Sequence, residues 1–184
     1  MRIVAGEWKG RPLHVPRDAT FRPTTDRVRE SVFNILAGRI SWNGANVCDL
    51  YAGSGGLGLE ALSRGAASAT FVERSPRNLA VLQRNITTLD AAERCVVLRQ
   101  EVERFSRGAT PCFDIVFADP PYASFSATLL LENIASLLRT GGIAVIEHGN
   151  LQPLGAHSRL AAIDERSYGS TTISMFQSLD GEAS

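Results

Sequence analysis

The segment VCDLYAGSGGLG, residues 47–58, runs an apolar stretch straight into glycines at Gly53, Gly55 and Gly58. Few arrangements satisfy it. A strand that ends in a tight turn and opens a helix puts Gly53 at the bend, Gly55 where a ligand approaches the backbone, and Gly58 where helix and strand pack closely. The helix N-terminus then presents N–H groups and a partial positive charge. Twenty residues beyond Gly53, at the end of the next apolar run, stands Glu73, where a carboxylate can accept hydrogen bonds from ribose hydroxyls. An adenine nucleotide or nucleoside is the expected ligand. NAD and S-adenosylmethionine both remain open at this point. The first brings a pyrophosphate, and the second an amino-acid tail whose ammonium needs an acceptor such as Asp49.

From about residue 46 onward, short apolar runs alternate with helical periodicity. Strands are expected at 47–51, 69–73, 95–99, 113–118 and 143–147, and helices at 57–64, from Pro76 onward, and at 126–139, the last ending at Gly141 and Gly142. Ser75 suits an N-cap, with Pro76 at the first helical position, where its missing N–H costs nothing. Leu79, Leu82, Ile86 and Leu89 form one apolar face. Runs at 160–166 and 171–177, separated by SYGS, suggest an antiparallel pair closing the sheet. This alternation predicts an α/β fold, a mostly parallel sheet covered by helices on both faces.

The first 45 residues differ. Two short strand-like runs around Gly6 to Gly10 suggest a hairpin. A helix follows in FRPTTDRVRESVFNIL, capped by Thr24 or Thr25, with Asp26 in its first turn and Val28, Val32, Ile35 and Leu36 on its apolar face. Arg27, Glu30 and Asn34 share another face. The division expected is a hairpin extension over 1–20 and a main domain over 21–184.

Net charge is zero, yet residues 1–39 carry eight basic against four acidic side chains, +4, and the remainder is −4. A basic arm on an acidic body suits a polyanionic partner. The three cysteines, Cys48, Cys95 and Cys112, lack metal-site spacing and read as buried, reduced core residues. No apolar run approaches the roughly 20 residues of a membrane span, and the N-terminus lacks signal-peptide zones, so a cytoplasmic protein is expected.

A second motif, DPPY at Asp119 to Tyr122, ends the fourth expected strand and should face the same crevice as the glycine loop. Its two prolines stiffen the turn and remove two N–H donors. Asp119 and the Pro120 carbonyl can together accept both hydrogens of an exocyclic amino group, and Tyr122 offers a face for a base to stack on. The amino lone pair of a nucleobase is delocalised and weakly nucleophilic. Two acceptors held in place favour its pyramidal form and the positive charge that develops as nitrogen attacks a sulfonium methyl. Hydride transfer has no use for such a turn.

DLYAGSGGLGLEALSRGA with ADPPY resembles the class I S-adenosylmethionine-dependent methyltransferases that modify exocyclic amino groups. MRIVAGEWKGRPL and RPTTDRVRESVFN are similar to the RsmD family, the bacterial 16S ribosomal RNA guanine-N2 methyltransferases. The resemblance covers nearly the whole chain. It implies a Rossmann-like, seven-stranded sheet with a small N-terminal hairpin, and methylation of one guanine in a small-subunit RNA loop. Naked RNA and an assembled or partly assembled subunit are both open as substrate, and so small an extension on a compact enzyme suits the preformed RNA–protein surface of the particle. By position, Asp49 and the loop Tyr51, Ala52, Gly53, Ser54, Gly55 to Gly58 would cradle the methyl donor, and Glu73, beside Arg74, its ribose. Glu101, followed by Val102, stands where relatives touch the adenine amino group. Asp119, Pro120 and Tyr122 would hold the target guanine, with Asp119 bordering the donor as well.

Arg2, Trp8, Lys9, Arg11, Arg22 and Arg27 are the candidate RNA contacts. Trp8 either stacks on a base or covers the join between hairpin and main domain. Arg22, Thr24, Thr25 and Arg27 either close over the cofactor or grip phosphate, or else cap a helix with a solvated charged face. His148 reads as a surface residue at the crevice rim. The expected protein is a monomeric methyltransferase. The rivals are an adenine- or cytosine-amino methyltransferase acting on DNA or other RNA, and a nucleotide-binding module or NAD-dependent enzyme.

Overall fold

The apolar runs become strands of one sheet. The computed structural model describes residues 1–16, 26–110, 112–121, 126–150 and 153–179. In chain order the elements are α1 (Asp26–Ala37), β1 (Asn46–Leu50), α2 (Gly56–Ser63), β2 (Ser68–Glu73), α3 (Pro76–Leu89), β3 (Cys95–Arg99), α4 (Val102–Ser106), β4 (Phe113–Ala118), α5 (Ala127–Leu137), β5 (Leu138–Gly149), β6 (Leu160–Tyr168) and β7 (Thr171–Ser178). Among the described residues the sheet has seven strands in the order β3-β2-β1-β4-β5-β7-β6. The first five in that order run parallel, and β7 is antiparallel to both its neighbours. The chain winds outward in opposite directions from β1 and β4, so the loops leaving their carboxyl ends diverge and open a crevice. The fold is the expected Rossmann-like α/β sheet.

Strand alternation splits the core in two. Val47, Ile115 and Phe117 point to the face packed by Val32, Phe33 and Leu36 of α1 with α2 and α3. Cys48, Val116 and Ala118 point to the face covered by Leu130, Leu131 and Ile134 of α5. Each buried Leu, Ile or Phe contributes about 1.5–3 kcal/mol, which is why apolar residues dominate the central strands. Ser75 caps α3 through the Asn78 N–H, with Pro76 in the first turn. Ser126 caps α5 in the same way.

Several sequence expectations change here. The fifth helix ends at Leu137 rather than at residue 139, and β5 begins at once. Leu138 pairs with Phe113, and the register then jumps to Ile115 opposite Ile143, so the glycine pair forms an irregularity inside the strand rather than a helix stop. A Cβ on Gly142 would stand 2.9 Å from the Arg139 carbonyl oxygen, closer than a side chain tolerates. The core face of α1 is rotated, with Arg29, Val32, Phe33 and Leu36 buried while Val28 and Ile35 are only half-buried. Of the cysteines, Cys48 is buried, Cys95 is half-buried, and Cys112, at the mouth of β4, is exposed; all three are free thiols. The short helix α4 has no counterpart among the elements that periodicity predicts. The expected caps Thr24 and Thr25 lie outside the described residues. No described helix is long and apolar enough to cross a membrane.

Candidate active site

Residues 1–16 fold back on themselves and then onto the main body. Ile3 and Arg11 pair through backbone bonds, Ile3 N–H to the Arg11 carbonyl at 2.9 Å and Gly10 N–H to the Ile3 carbonyl at 2.9 Å. Ile3, Trp8 and Leu13 are buried in the core shared with α2 and α3. Glu60, fully buried on α2, takes the Val4 N–H at 2.7 Å and the Ala5 N–H at 3.0 Å. Gly6 lies so close to Ser63 that a Cβ there would overlap its carbonyl. The segment is therefore latched to the helix that the glycine loop opens, and its Met1, Val15 and Pro16 line the cavity above that loop.

That cavity, about 370 Å³, occupies the crevice between the β1 and β4 ends. Tyr51 turns into it with φ of 57°, a left-handed conformation that a bulky residue adopts only under constraint. Gly53 follows at φ of 55°. Its N–H donates to Glu73 Oε2 at 2.9 Å, the same carboxylate takes the Ser75 N–H at 2.7 Å, and Asn78 Nδ2 donates to it at 3.2 Å. A carboxylate has about four acceptor directions, so Glu73 keeps one for a hydroxyl. Asp49 accepts the Gly58 N–H at 2.9 Å. Burial pushes the Asp49 carboxyl up to about 7, the Gly58 bond opposing this and the negative Glu73 adding to it.

Gly58 does what the spacing predicts, and Gly55 does not. A Cβ on Gly55 would stand 2.4 Å from Leu82 Cδ1, and one on Gly58 would stand 2.4 Å from the Phe71 ring. Both glycines seat α2 against the core and are buried, so Gly55 is not a point of ligand approach. Gly53, Ser54 and Gly56, a glycine that the spacing argument does not single out, line the cavity instead, with Ala52 beside them.

Asp119 and Pro121 form the β4 wall, and Pro120 is buried between them. Tyr122 lies outside the described residues. Burial raises the Asp119 carboxyl well above the usual range, and the nearby Glu147 and Asp49 carboxylates push it further the same way. Arg74 and Glu101 pair across the rim at 3.4 Å, both exposed, while Val102 is buried against the cavity.

The donors and charges around this space bear on its ligand. Three loop N–H groups already serve protein acceptors, those of Gly53 and Gly58 on carboxylates and that of Gly55 on the Ala52 carbonyl. Asp49, Glu73, Glu101 and Asp119 all border the space. Arg29, Arg74 and Arg77 line it as well, and the acidic groups suit hydroxyls and positive charge, a set that an adenosyl sulfonium fits.

Of the candidate RNA contacts, Arg2, Lys9, Arg11 and Arg27 are exposed. Arg22 lies outside the described residues. Trp8 is not available for stacking: its side chain is buried, its backbone N–H donates to Ser63 Oγ at 3.0 Å, and the Arg94 guanidinium sits 4.7 Å over its ring. It covers the join. His148 is likewise no surface residue, being buried with Nε2 2.8 Å from Ser174 Oγ. Motif and spacing do not single out Arg29, Glu60 and Asn85, which the structure brings to the site and its supports. Each is a polar residue inside an otherwise apolar helical face, the pattern that marks a buried group in need of partners.

The sequence model of the family described as Conserved hypothetical protein 95 matches residues 1–177. Ribosomal RNA small subunit methyltransferase D of Escherichia coli K12 is 44% identical over 142 residues, covering 77% of this chain and 68% of the relative. The Haemophilus influenzae protein of the same name is 35% identical over 184 residues, covering 96% and 93% of the two chains. The solved structure of "Putative methyltransferase yhhF from Escherichia coli" superposes with a TM-score of 0.85 at 32% identity, covering 97% of this chain and 98% of that one. With its motifs, sheet order and relatives in agreement, the chain belongs to the RsmD family of methyltransferases.

Proposed function

We propose that the protein transfers a methyl group from S-adenosylmethionine to the exocyclic N2 of a guanine in 16S ribosomal RNA, acting as a monomer on an assembled or partly assembled small subunit. One observation carries this reading. Asp49 and Asp119 end adjacent parallel strands, with Leu50 opposite Ala118, and both border one cavity. The glycine loop and the DPP turn thus serve a single reaction space. The names of the relatives, small-subunit ribosomal RNA methyltransferases, supply the substrate class.

The chain's own residues divide the task. Glu73 holds a ribose hydroxyl, and Asp49 accepts the ammonium of the amino-acid tail. When bound, the donor supplies an electrophilic methyl on a positively charged sulfur. Asp119 and the Pro120 carbonyl take the two hydrogens of the guanine amine, and the absence of N–H groups at Pro120 and Pro121 leaves that wall free of competing donors. In-line positioning supplies much of the remaining rate. Once nitrogen carries the methyl it is strongly acidic, and Asp119, whose surroundings raise its proton affinity, is placed to receive the released proton.

The test is nucleoside mass spectrometry of small ribosomal subunits lacking the modification, after incubation with the protein and labelled S-adenosylmethionine, with Asp119→Ala in parallel. New N2-methylguanosine that the variant fails to make is the expected result. Label on adenine or cytosine would overturn the base assignment, and absence of label on any ribosomal substrate would overturn the RNA reading.

A further inference from the structure

Arg29 is a buried cation on the cavity wall, and its hydrogen bonds are incompletely made. Its side chain, 1% exposed, comes from the α1 face that packs on the core. Nη2 donates to the Arg2 carbonyl and to Asp26 Oδ1 at 2.7 Å. Nε is buried with no hydrogen-bond partner among the described residues, 3.8 Å from Glu60 Oε2. Glu60 does not fill the gap, because at 3.8 Å its Oε2 is beyond hydrogen-bond reach and the Val4 and Ala5 N–H groups and Arg64 Nε at 2.8 Å hold the carboxylate where it is. A buried charged donor left unpaired costs about 1–3 kcal/mol or more, and an apolar residue would pack at this position without that cost.

The space in front of the guanidinium points to the reason. Nη1 lies 3.7 Å from the position a Cβ on Gly56 would take, and the Met1 sulfur lies 3.2 Å from the same point. Gly56 has no left-handed φ, so its backbone would accept any residue, and alanine would favour the helix by up to about 1 kcal/mol. What glycine preserves there is room. Met1, Arg29, Gly56 and Asp49 all line the same cavity, which thus offers a guanidinium beside Gly56 as well as the Asp49 carboxylate.

We infer that Arg29 binds the carboxylate of the methyl donor's amino-acid tail, with Gly56 keeping the approach open while Asp49 takes the ammonium. This rests on the donor assigned above. A planar guanidinium meets a carboxylate with two parallel bonds, which lysine cannot reproduce.

Calorimetric titration of the full chain with S-adenosylhomocysteine, and with its analogue lacking only the carboxylate, tests the assignment. The wild type should prefer the intact ligand by roughly 10- to 100-fold, the range of a charge-assisted hydrogen bond. Arg29→Lys and Gly56→Ala should each collapse that preference while leaving affinity for the analogue nearly unchanged. A purely structural role would weaken both ligands alike, so an unchanged ratio in a folded Arg29→Lys protein overturns the inference. Equal affinity of the wild type for the two ligands overturns it even if Arg29→Lys does not fold, and leaves the donor standing. Failure of the wild type to bind either overturns the donor assignment as well.

Discussion

Asn85 and His14 are joined by two hydrogen bonds running in opposite directions, the Asn85 side-chain oxygen accepting the His14 N–H at 2.8 Å and its nitrogen donating to the His14 carbonyl at 3.0 Å. The same nitrogen donates to the Ser54 carbonyl at 2.9 Å. One buried carboxamide on α3 therefore ties the N-terminal segment to the glycine loop. Asn85→Ala strands three backbone groups and should cost about 2–4 kcal/mol in urea unfolding. It should also weaken S-adenosylhomocysteine binding severalfold, because Ser54 lines the cavity. A loss below about 1 kcal/mol would show that packing alone holds the segment.

Asp119→Asn separates binding from turnover. Asparagine keeps an acceptor but lacks the charge that answers the positive nitrogen, so kcat should fall by about 10²–10³. Affinity for S-adenosylhomocysteine should stay within about threefold. The same change removes a buried acid beside Glu147 and Asp49, so the variant should melt at a higher temperature than the wild type at pH 8. A lost cofactor affinity with normal turnover at saturation would assign Asp119 to the donor site alone.

The pH dependence follows from Asp49. Its carboxyl titrates at about 7 in the folded chain against roughly 3.9 unfolded, so the folded state holds the extra proton between those values. Protonation favours folding over that window, and stability falls as pH rises from about 4 to 7, by up to roughly 4 kcal/mol from this group. Asp49→Asn should flatten that slope in thermal melts. Donor binding runs the other way: the ammonium needs the ionised form, so affinity should drop about tenfold per unit as pH falls below 7. A pH-independent affinity between 5 and 8 would remove Asp49 from the ammonium site.

Attachment to ribosomal particles should weaken with salt. Lys9 and Arg27 are exposed, on the N-terminal segment and on α1 respectively. Lys9→Ala and Arg27→Ala each take one cation away from the phosphate backbone, so each should reduce the log–log salt slope of particle binding by about 0.7–0.9. An unchanged slope in the double variant would move the RNA surface elsewhere on the protein.

The sequence by itself determined what depends on neighbours in the chain. The strand–glycine–helix unit, the Ser75-Pro76 start of α3 and the donor-free DPP turn are local in cause, since φ preferences, caps and missing N–H groups act within a few residues. Glu73 was legible too, because its spacing from Gly53 follows from one crossover of a parallel sheet. Tertiary structure alone decided where groups distant in the chain meet. Gly55 reads in the sequence as open to a ligand, yet Leu82 fills the space in front of it. Trp8 reads equally as a base-stacking ring or as the cover of a join until the hairpin folds onto α2 and buries it. Arg29 sits in sequence on an apolar helical face, but only the packing of α1 beside Met1 and Gly56 brings it to the cavity. The reason is physical: burial, and with it the energetics of a charge or a ring, is set by what arrives from the far side of the sheet, and no local pattern records that arrival.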